Sequence, residues 1–548
     1  MRANVWLCGP PGCGKSSVAP RLAELRGSTV LDVDALVERE VGLTVAALVE
    51  RDGMAAFRVR ERATIARLAE LHDTVIALGA GALEDEANRR AVALSGTLVF
   101  LDASLPTCAA HTSYAAGTRP LLREPGALER LHAARRPHYL AAPVRVAVDG
   151  LSPSATARAV DAALRAERIV RVASARPYEI ALGPAVVDAL PERAAPLPGG
   201  RVVVVADERV EELALRAARA YDDAGFATTV LRVHADEELK SLDALATLYE
   251  FFVAAQLDRR GIVVGVGGGT IGDAVGFAAA TFQRGVPYVA LPTTLLAAVD
   301  AAIGGKTGIN LSAGKNLVGT VTQPAHVAIA PYALRSLEPR DIVSGYGEML
   351  KYGLALDAQL YRALRAGEAA LLDDPATALD AIARCAQLKA EIVARDEHDR
   401  SGVRAVLNFG HTVGHALEKV AGYGALRHGE AVIVGMRAAL ALSTARGLLA
   451  DAVRAEADAH LAGLPVPPLW RELDARAVAA ATQGDKKRHA GGTRFVLLDA
   501  LGSARLDDGV REHDLHAALA ELGLVDSRSA NPSRSASGRS AGRPAGSP

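Results

Sequence analysis

The sequence predicts an α/β chain: a parallel sheet first, then a second α/β domain, then a mainly α-helical region. Three observations carry that expectation. Short β-rich apolar runs alternate with helical stretches up to about residue 166, the alternation restarts near Val170, and strand signals fade after about Glu338. The length of 548 residues suits three to four folding units. We therefore expect units at 1–166, 170–337 and 338–525, followed by a tail at 526–548. With 62 Lys+Arg against 63 Asp+Glu the formal charge is −1, which argues against a nucleic-acid binder and against an acidic solvating chain. A 50% hydrophobic and 23% charged composition is ordinary for domains that bury large cores. The most apolar window, 432–450, contains Arg437 and Arg446, so no membrane span is expected. Four scattered cysteines and the absence of a signal-peptide pattern at the amino terminus point to a reducing, cytoplasmic location.

In the first zone, residues 5–8, 29–33, 74–78, 97–101 and 144–148 read as buried strands of a parallel sheet. In the second zone the strands are 201–206, 229–233, 262–266 and 288–291. Long helical spacing then runs to about Leu524. From Asp526 onward the chain is Ser/Gly/Pro/Arg-rich without a large apolar residue and should be disordered.

Gly9-Pro-Pro-Gly12-Cys-Gly14-Lys15-Ser16 matches G-x-x-x-x-G-K-[ST] at every position, between a strand and a helix. Backbone N–H groups of such a loop cradle phosphates, the lysine neutralises β/γ charge, and the serine hydroxyl ligates Mg²⁺. This predicts a nucleoside triphosphate site. The next strand ends in Asp32-Val-Asp34, two carboxylates beside the loop, one suited to magnesium and one to a hydroxyl acceptor. An anionic acceptor needs arginine forks, for which Arg58 and Arg136 are the available pair.

With Phe57-Arg58, Glu61, Gly79-Ala80-Gly81, Arg119-Pro-Leu-Leu and Arg135-Arg136-Pro-His-Tyr139, residues 1–165 resemble shikimate kinase. The resemblance implies Mg·ATP on Gly12, Gly14, Lys15, Ser16, Ser17 and Asp32, and shikimate on Asp34, Arg58, Gly81 and Arg136. Arg119 would be the lid arginine facing the transferred phosphoryl group. Two departures stand out: the family's three-glycine turn carries Ala80, and no basic residue lies between His111 and Arg119. They leave open the alternative of a weakened or regulatory nucleotide-binding module.

Further on, Ile262-Val-Val-Gly-Val-Gly267-Gly268-Gly269-Thr270-Ile-Gly-Asp273 runs a strand through a glycine turn into a helix, a setting for a pyrophosphate. Thr293-Thr294, Asp300, Gly304-Gly305-Lys306 and Gly314-Lys315-Asn316 follow, loops rich in groups that bind polar anions. His411-Thr-Val-Gly-His415 places two imidazoles at i and i+4 on one helix face, with His428, Glu430 and Glu348 as further ligand candidates for Zn²⁺. On spacing alone, His411 and His415 form the ligand pair.

Together these motifs resemble 3-dehydroquinate synthase from about Val170 to Leu524. The resemblance implies zinc (or cobalt) on Glu348, His411 and His428, with His415 on the substrate. It implies NAD on Asp207, Glu237, Lys240, Gly268, Gly269, Thr270, Asp273, Thr293, Thr294 and Lys315. Substrate contacts would come from Arg284, Lys306, Asn316, Lys351, Lys389, Arg404, Asn408 and Lys486, with Asp300 and Lys306 catalytic. The implied reaction converts 3-deoxy-D-arabino-heptulosonate 7-phosphate to 3-dehydroquinate through transient oxidation at C5, β-elimination of phosphate, re-reduction, ring opening and aldol closure. A homodimer through the synthase part is also implied. A related sugar-phosphate cyclase is the alternative within the superfamily. Two further steps separate 3-dehydroquinate from shikimate, so direct transfer of an intermediate does not account for the fusion.

Overall fold

The computed structural model describes residues 3–113, 126–368, 371, 375–422, 424–482 and 494–524. Arg119, Lys486 and the tail at 526–548 lie outside the described residues. The chain divides into two compact units, 1–404 and 405–548.

The first unit opens with β1 (Asn4–Cys8), β2 (Thr29–Asp32), β3 (Thr74–Ala77), β4 (Gly96–Asp102) and β5 (Val144–Ala147), a parallel sheet ordered β2-β3-β1-β4-β5. Its helices are α1 (Lys15–Arg26), α2 (Val33–Val41), α3 (Val45–Leu68), α4 (Glu86–Ser95), α5 (Leu105–Ser113), α6 (Ala127–Leu140) and α7 (Pro153–Leu164). The inner strands β1, β3 and β4 read as apolar runs because both faces are covered, whereas the edge strand β2 has no buried residue and β5 buries only alternate residues. Val5, Leu7, Val75 and Leu101 pack with α1 and α7, while Trp6, Cys8, Ile76 and Phe100 pack with α3, α4 and α6. All five expected strands are present.

The second sheet of this unit uses β6 (Arg168–Val172), β7 (Tyr178–Leu182), β8 (Val202–Asp207), β9 (Thr228–Val233), β10 (Ile262–Gly267) and β11 (Tyr288–Pro292). After a hairpin of β12 (Lys306–Leu311) and β13 (Gly314–Val321) comes β14 (His326–Ile329). The order is β6-β7-β14-β11-β10-β8-β9, with only the β6–β7 pair antiparallel. Helices α8 (Leu190–Arg193), α9 (Glu211–Asp223), α10 (Leu242–Ala254) and α11 (Gly269–Thr281) accompany it, and α12 (Pro339–Leu356), α13 (Ala358–Leu364) and α14 (Pro375–Arg395) follow. Val202, Val204, Ile262 and Val264 bury one face of the sheet against Ala214, Ala217 and Tyr221 of α9. The sequence reading did not anticipate β6, β7, β14 or the β12–β13 hairpin. They are short, and the edge strand β6 buries only Val170 and Val172 and leaves Arg168, Ile169 and Arg171 exposed, a weaker signal than a continuous apolar run.

The second unit contains α15 (His411–Ala421), α16 (His428–Ala445), α17 (Asp451–Ala462), α18 (Ala475–Thr482) and α19 (Glu512–Glu521). A hairpin of β15 (Phe495–Ala500) and β16 (Ser503–Asp507) interrupts the expected helical region. Leu497 and Leu498 are buried, and the Leu498 N–H donates to Ser443 Oγ on α16 (3.0 Å). Helix α16, most of the apolar 432–450 window, is buried from Gly429 to Ser443 almost without a break. Among the described residues no helix is long and apolar enough to cross a membrane.

Candidate functional sites

The first site is a cleft of about 680 Å³ at the carboxyl edge of the five-stranded sheet. The phosphate loop lies between β1 and α1. Gly12 takes φ +84°, and a Cβ there would stand 2.6 Å from the Cys108 carbonyl oxygen, so the loop needs glycine on both counts. Lys15 Nζ donates to the Gly9 carbonyl (2.7 Å), and Ser16 Oγ donates to Asp32 Oδ2 (2.7 Å). Asp32 Oδ1 meanwhile accepts the Ala35 N–H and caps α2, which places Asp34 on the first turn. His111 Nδ1 lies 2.8 Å from the Gly12 carbonyl and must donate, because a carbonyl only accepts.

Across the cleft, Gly79 faces Asp34 and Glu61: a Cβ there would come within 2.8 Å of Asp34 Oδ1 and 2.5 Å of Glu61 Oε1. Neither oxygen has a hydrogen-bond partner. Burial raises both carboxyl groups above their ordinary pKa, and for Asp34 the neighbouring Asp32 carboxylate adds to the rise. Arg58 pairs with Glu61 (2.5 Å) and Glu84 (3.0 Å), and Arg135 donates to Glu84 (3.0 Å). Gly81 leaves room for both guanidinium groups.

Arg136 corrects the sequence expectation. Its guanidinium bonds Asp102 at the end of β4 (3.0 Å) and lies over Phe100, whereas Arg135 lines the cleft. Successive residues on a helix point about 100° apart, so only one of this pair on α6 can face Arg58. The Ala80 departure is accommodated through the backbone, since its carbonyl accepts the Tyr139 hydroxyl (2.5 Å).

In the seven-stranded sheet, β8, β9, β10 and β11 are parallel, so the segments after them share one edge. That edge gathers Asp207, Glu237, Lys240, Gly268, Gly269, Thr270, Asp273, Thr293 and Thr294, the usual location of ligands in an open α/β sheet. Both oxygens of Asp207 are held by Arg209 (Nε to Oδ1 3.0 Å, Nη2 to Oδ2 2.6 Å). Lys240 Nζ donates to Asp273 Oδ2 (2.7 Å) and Asn316 Oδ1 (2.5 Å), while Glu237 takes Asn310 (2.7 Å) and Lys315 (3.3 Å). Burial raises the Asp273 carboxyl despite Lys240.

Just beyond β11, a π-helical turn over Ala297–Ala301 carries Asp300. Lys389 Nζ donates to its carbonyl (2.5 Å) and to Oδ1 (2.7 Å), and the Tyr352 hydroxyl also donates to Oδ1 (2.8 Å). Tyr352 is a member of this network that sequence reasoning missed; its place one residue after Lys351 was the only signal. Lys351 pairs with Glu348 inside α12, both almost fully buried. Burial alone would raise the Asp300 carboxyl, but Lys389 and Lys351 hold it far below the carboxylate range. Burial lowers Lys389, whereas Glu348 and Asp300 outweigh burial and raise Lys351. Lys306 bonds Asp399 (2.6 Å), and Arg404 donates to the Glu397 carbonyl (3.2 Å).

Arg284 is not brought to this edge in the chain. It follows α11 and precedes β11, at the amino end of the strand, opposite the end that carries Thr293.

In the second unit, His411, His415 and His428 offer ligand nitrogens that all lie within 4.8 Å of one another. His411 and His428 each begin a helix, α15 and α16. Gly410 permits the close approach: a Cβ there would stand 2.6 Å from Met436 Cγ. His411 Nδ1 lies 3.3 Å from the Phe409 carbonyl and His428 Nδ1 3.2 Å from Glu418 Oε2. Such contacts fix the ring and direct Nε2 toward a metal. The donor set fits a borderline cation such as zinc. Asn408 precedes this cluster, exposed.

Three family models match the chain: shikimate kinase at residues 11–165, 3-dehydroquinate synthase N-terminal at 230–344, and 3-dehydroquinate synthase C-terminal at 345–488. The 3-dehydroquinate synthase of Rhodopirellula baltica is 40% identical over 320 residues, 58% of this chain and 85% of that protein. That of Cereibacter sphaeroides ATCC 17023 is 42% identical over 344 residues, covering 61% and 93%. Among solved structures, 2-epi-5-epi-valiolone synthase from Streptomyces hygroscopicus subsp. jinggangensis, with NAD⁺ and Zn²⁺ bound, is 28% identical with a TM-score of 0.57, covering 63% of this chain and 96% of that one. A 2-deoxy-scyllo-inosose synthase with the same TM-score of 0.57 is 24% identical, covers 65% of this chain and 99% of that one, and shares the fold. The chain belongs to the 3-dehydroquinate synthase family over its larger part and is a shikimate kinase–3-dehydroquinate synthase fusion.

Proposed function

We propose that the first site transfers the γ-phosphoryl group of Mg·ATP to the 3-hydroxyl of shikimate, and that the synthase part converts 3-deoxy-D-arabino-heptulosonate 7-phosphate to 3-dehydroquinate and phosphate. For the kinase, the supporting observation is that a complete phosphate loop and Asp34 line one cleft. Lys15 carries charge to the phosphates, and Ser16 with Asp32 holds Mg²⁺. The raised Asp34 carboxyl takes the acceptor proton more readily than an ordinary aspartate would. Arg58 and Arg135 clamp the shikimate carboxylate, and Arg119 completes the lid.

For the synthase, the supporting observation is the three-histidine cluster, together with the NAD⁺ and Zn²⁺ of the valiolone synthase relative. When bound, NAD supplies a hydride acceptor and donor, and zinc supplies a Lewis acid. Asp207 binds ribose hydroxyls once Arg209 yields one oxygen, and the backbone N–H groups of Gly269 and Thr270 receive the pyrophosphate. Lys389, Lys351, Lys306, Arg404, Asn316, Asn408 and Lys486 orient the anionic substrate. His411 and His428 are the imidazole ligands; the resemblance adds Glu348 as the carboxylate and gives His415 to the substrate. Zinc content of Glu348→Gln and His415→Gln tests that division, with the loss expected in the first. Dehydroquinate formation is favoured over a related cyclisation because relatives at 40–42% identity are dehydroquinate synthases.

The deciding experiment measures shikimate-dependent ADP production and heptulosonate-dependent phosphate release on the intact chain. Lys15→Ala should remove only the first activity, and His411→Ala only the second, along with bound zinc. Loss of both from either change would overturn independent sites. ATP binding without phosphoryl transfer would make the first domain a nucleotide-sensing module instead.

A further inference from the structure

The joint between the two sheets of the first unit has no slack. Helix α7 ends at Leu164 and β6 begins at Arg168. The Arg165 and Ala166 N–H groups bond back to Asp161 and Ala163, and both Glu167 carboxylate oxygens accept from Arg193 Nη2 (2.8 and 2.7 Å). A Cβ at Gly183 would stand 2.6 Å from the Ala166 carbonyl oxygen, so β7 passes directly against the joint.

Away from the joint, α4 of the kinase sheet packs on α9 of the dinucleotide sheet. Arg90 reaches Glu211 at one end of α9 and His72 reaches Asp223 at the other, both at 3.5 Å. Between them Arg216, only 4% exposed, is tied bidentately to Asp188 (Nε 2.8 Å, Nη2 2.6 Å) and stacks over the Tyr332 ring. Its Nη2 also donates to Thr97 Oγ1 of β4 (2.9 Å). Thr97 is buried and pairs with Val5 of β1, the strand that feeds the phosphate loop. On its other side α9 packs on β8 and β10, which feed the dinucleotide edge. A buried guanidinium requires its donors to be satisfied, and here the kinase sheet supplies one of the acceptors.

We infer that the five-stranded and seven-stranded sheets open as one cooperative unit, joined by the α4–α9 face and the Arg216–Thr97 bridge. A ligand at the edge of either sheet then stabilises the other. This gives the fusion a physical role that transfer of an intermediate does not. The ligand arm rests on the dinucleotide reading proposed above; the cooperativity itself does not.

Native-state hydrogen exchange on the full chain tests it. The slowest amides of β1 and β4 should share one denaturant dependence with those of β8 and β10. NAD⁺ at a hundred times its Kd should slow both sets about 100-fold. Thr97→Val, which removes only the acceptor hydroxyl, and Arg216→Met should split the single transition, leaving the kinase amides the faster set. Separate transitions in the unaltered chain, or NAD⁺ slowing β8 and β10 while β1 and β4 are unaffected, would overturn the proposal. If NAD⁺ slows neither set, the dinucleotide reading fails, and the shared or separate denaturant dependence still decides cooperativity.

Discussion

The two sheets of the first unit present their chemistry in the same place, beyond the carboxyl ends of parallel strands, yet they set their carboxyl groups in opposite directions. At the five-stranded sheet, Asp34 and Glu61 are raised by burial, and the nearby arginines are shared with Glu84. At the seven-stranded sheet, burial also acts to raise Asp300, but Lys389 and Lys351 drive it down. The first arrangement keeps a carboxyl ready to exchange a proton; the second makes it a permanent counter-ion that orders lysines. Burial alone does not determine what an acid does: the number of cations committed to it does.

The sharpest way to break this contrast is Asp34→Asn. Loss of a proton acceptor should cut shikimate phosphorylation about 10²–10⁴-fold in initial-rate assays. The raised carboxyl binds a proton more tightly folded than unfolded, so its ionisation costs stability as pH rises through its folded pKa. The asparagine variant should therefore melt higher than the parent at neutral pH. A fall in melting temperature with activity retained would reverse the assignment.

Lys389→Met should act in the other direction on stability, costing about 3–5 kcal/mol, as for one partner removed from a buried ion pair. The lowered Asp300 contributes stability that is full above its unfolded pKa of about 4 and is lost as pH falls below it. The gap between parent and variant in denaturant melts should narrow below that pH. A gap that widens on acidification would show that Asp300 is not the counter-ion.

Within the kinase cleft, Arg135→Ala should weaken shikimate binding by about 1.5–3 kcal/mol, the usual worth of hydrogen bonds to a charged group, read as KM. Arg136→Ala should leave KM within about twofold, because its guanidinium is engaged by Asp102 and exposed pairs contribute about 0–1 kcal/mol. Equal effects would restore the pairing expected from sequence. The smallest change is Ala80→Gly. It should lower stability by no more than about 0.5–1 kcal/mol, the entropic difference between the two residues, and leave kcat nearly unchanged. A large gain in kcat would mean that the methyl group crowds the acceptor.

Much of this was legible in the chain. The phosphate loop matched at every position and folds between β1 and α1 as expected, because the motif and its flanking apolar run are local. The buried strands 262–266 and 288–291 were readable for the same reason, and His411 and His415 announced a shared face through their spacing. Other features left no local trace. Hairpin β15–β16 was obscured by the helical segments around it, and no local pattern shows that Arg284 precedes β11 and so lies, within one chain, at the end of the strand opposite Thr293. Arg135 and Arg136 are equivalent as a string and differ only in where α6 points them.

The sequence by itself determined the fold class, the nucleotide loop, the histidine pair and both family resemblances, because strand runs, glycine turns and helical spacing are encoded within a few residues. Only the tertiary structure decided which arginine faces the cleft and that Asp300 is fixed by Lys389 and Tyr352. It also revealed that Arg216 finds a partner on β4. The physical reason is common to all of these. Charge state and hydrogen-bond partnership depend on burial and on groups far away in sequence, 119 residues apart for Arg216 and Thr97, and no local pattern records such a distance.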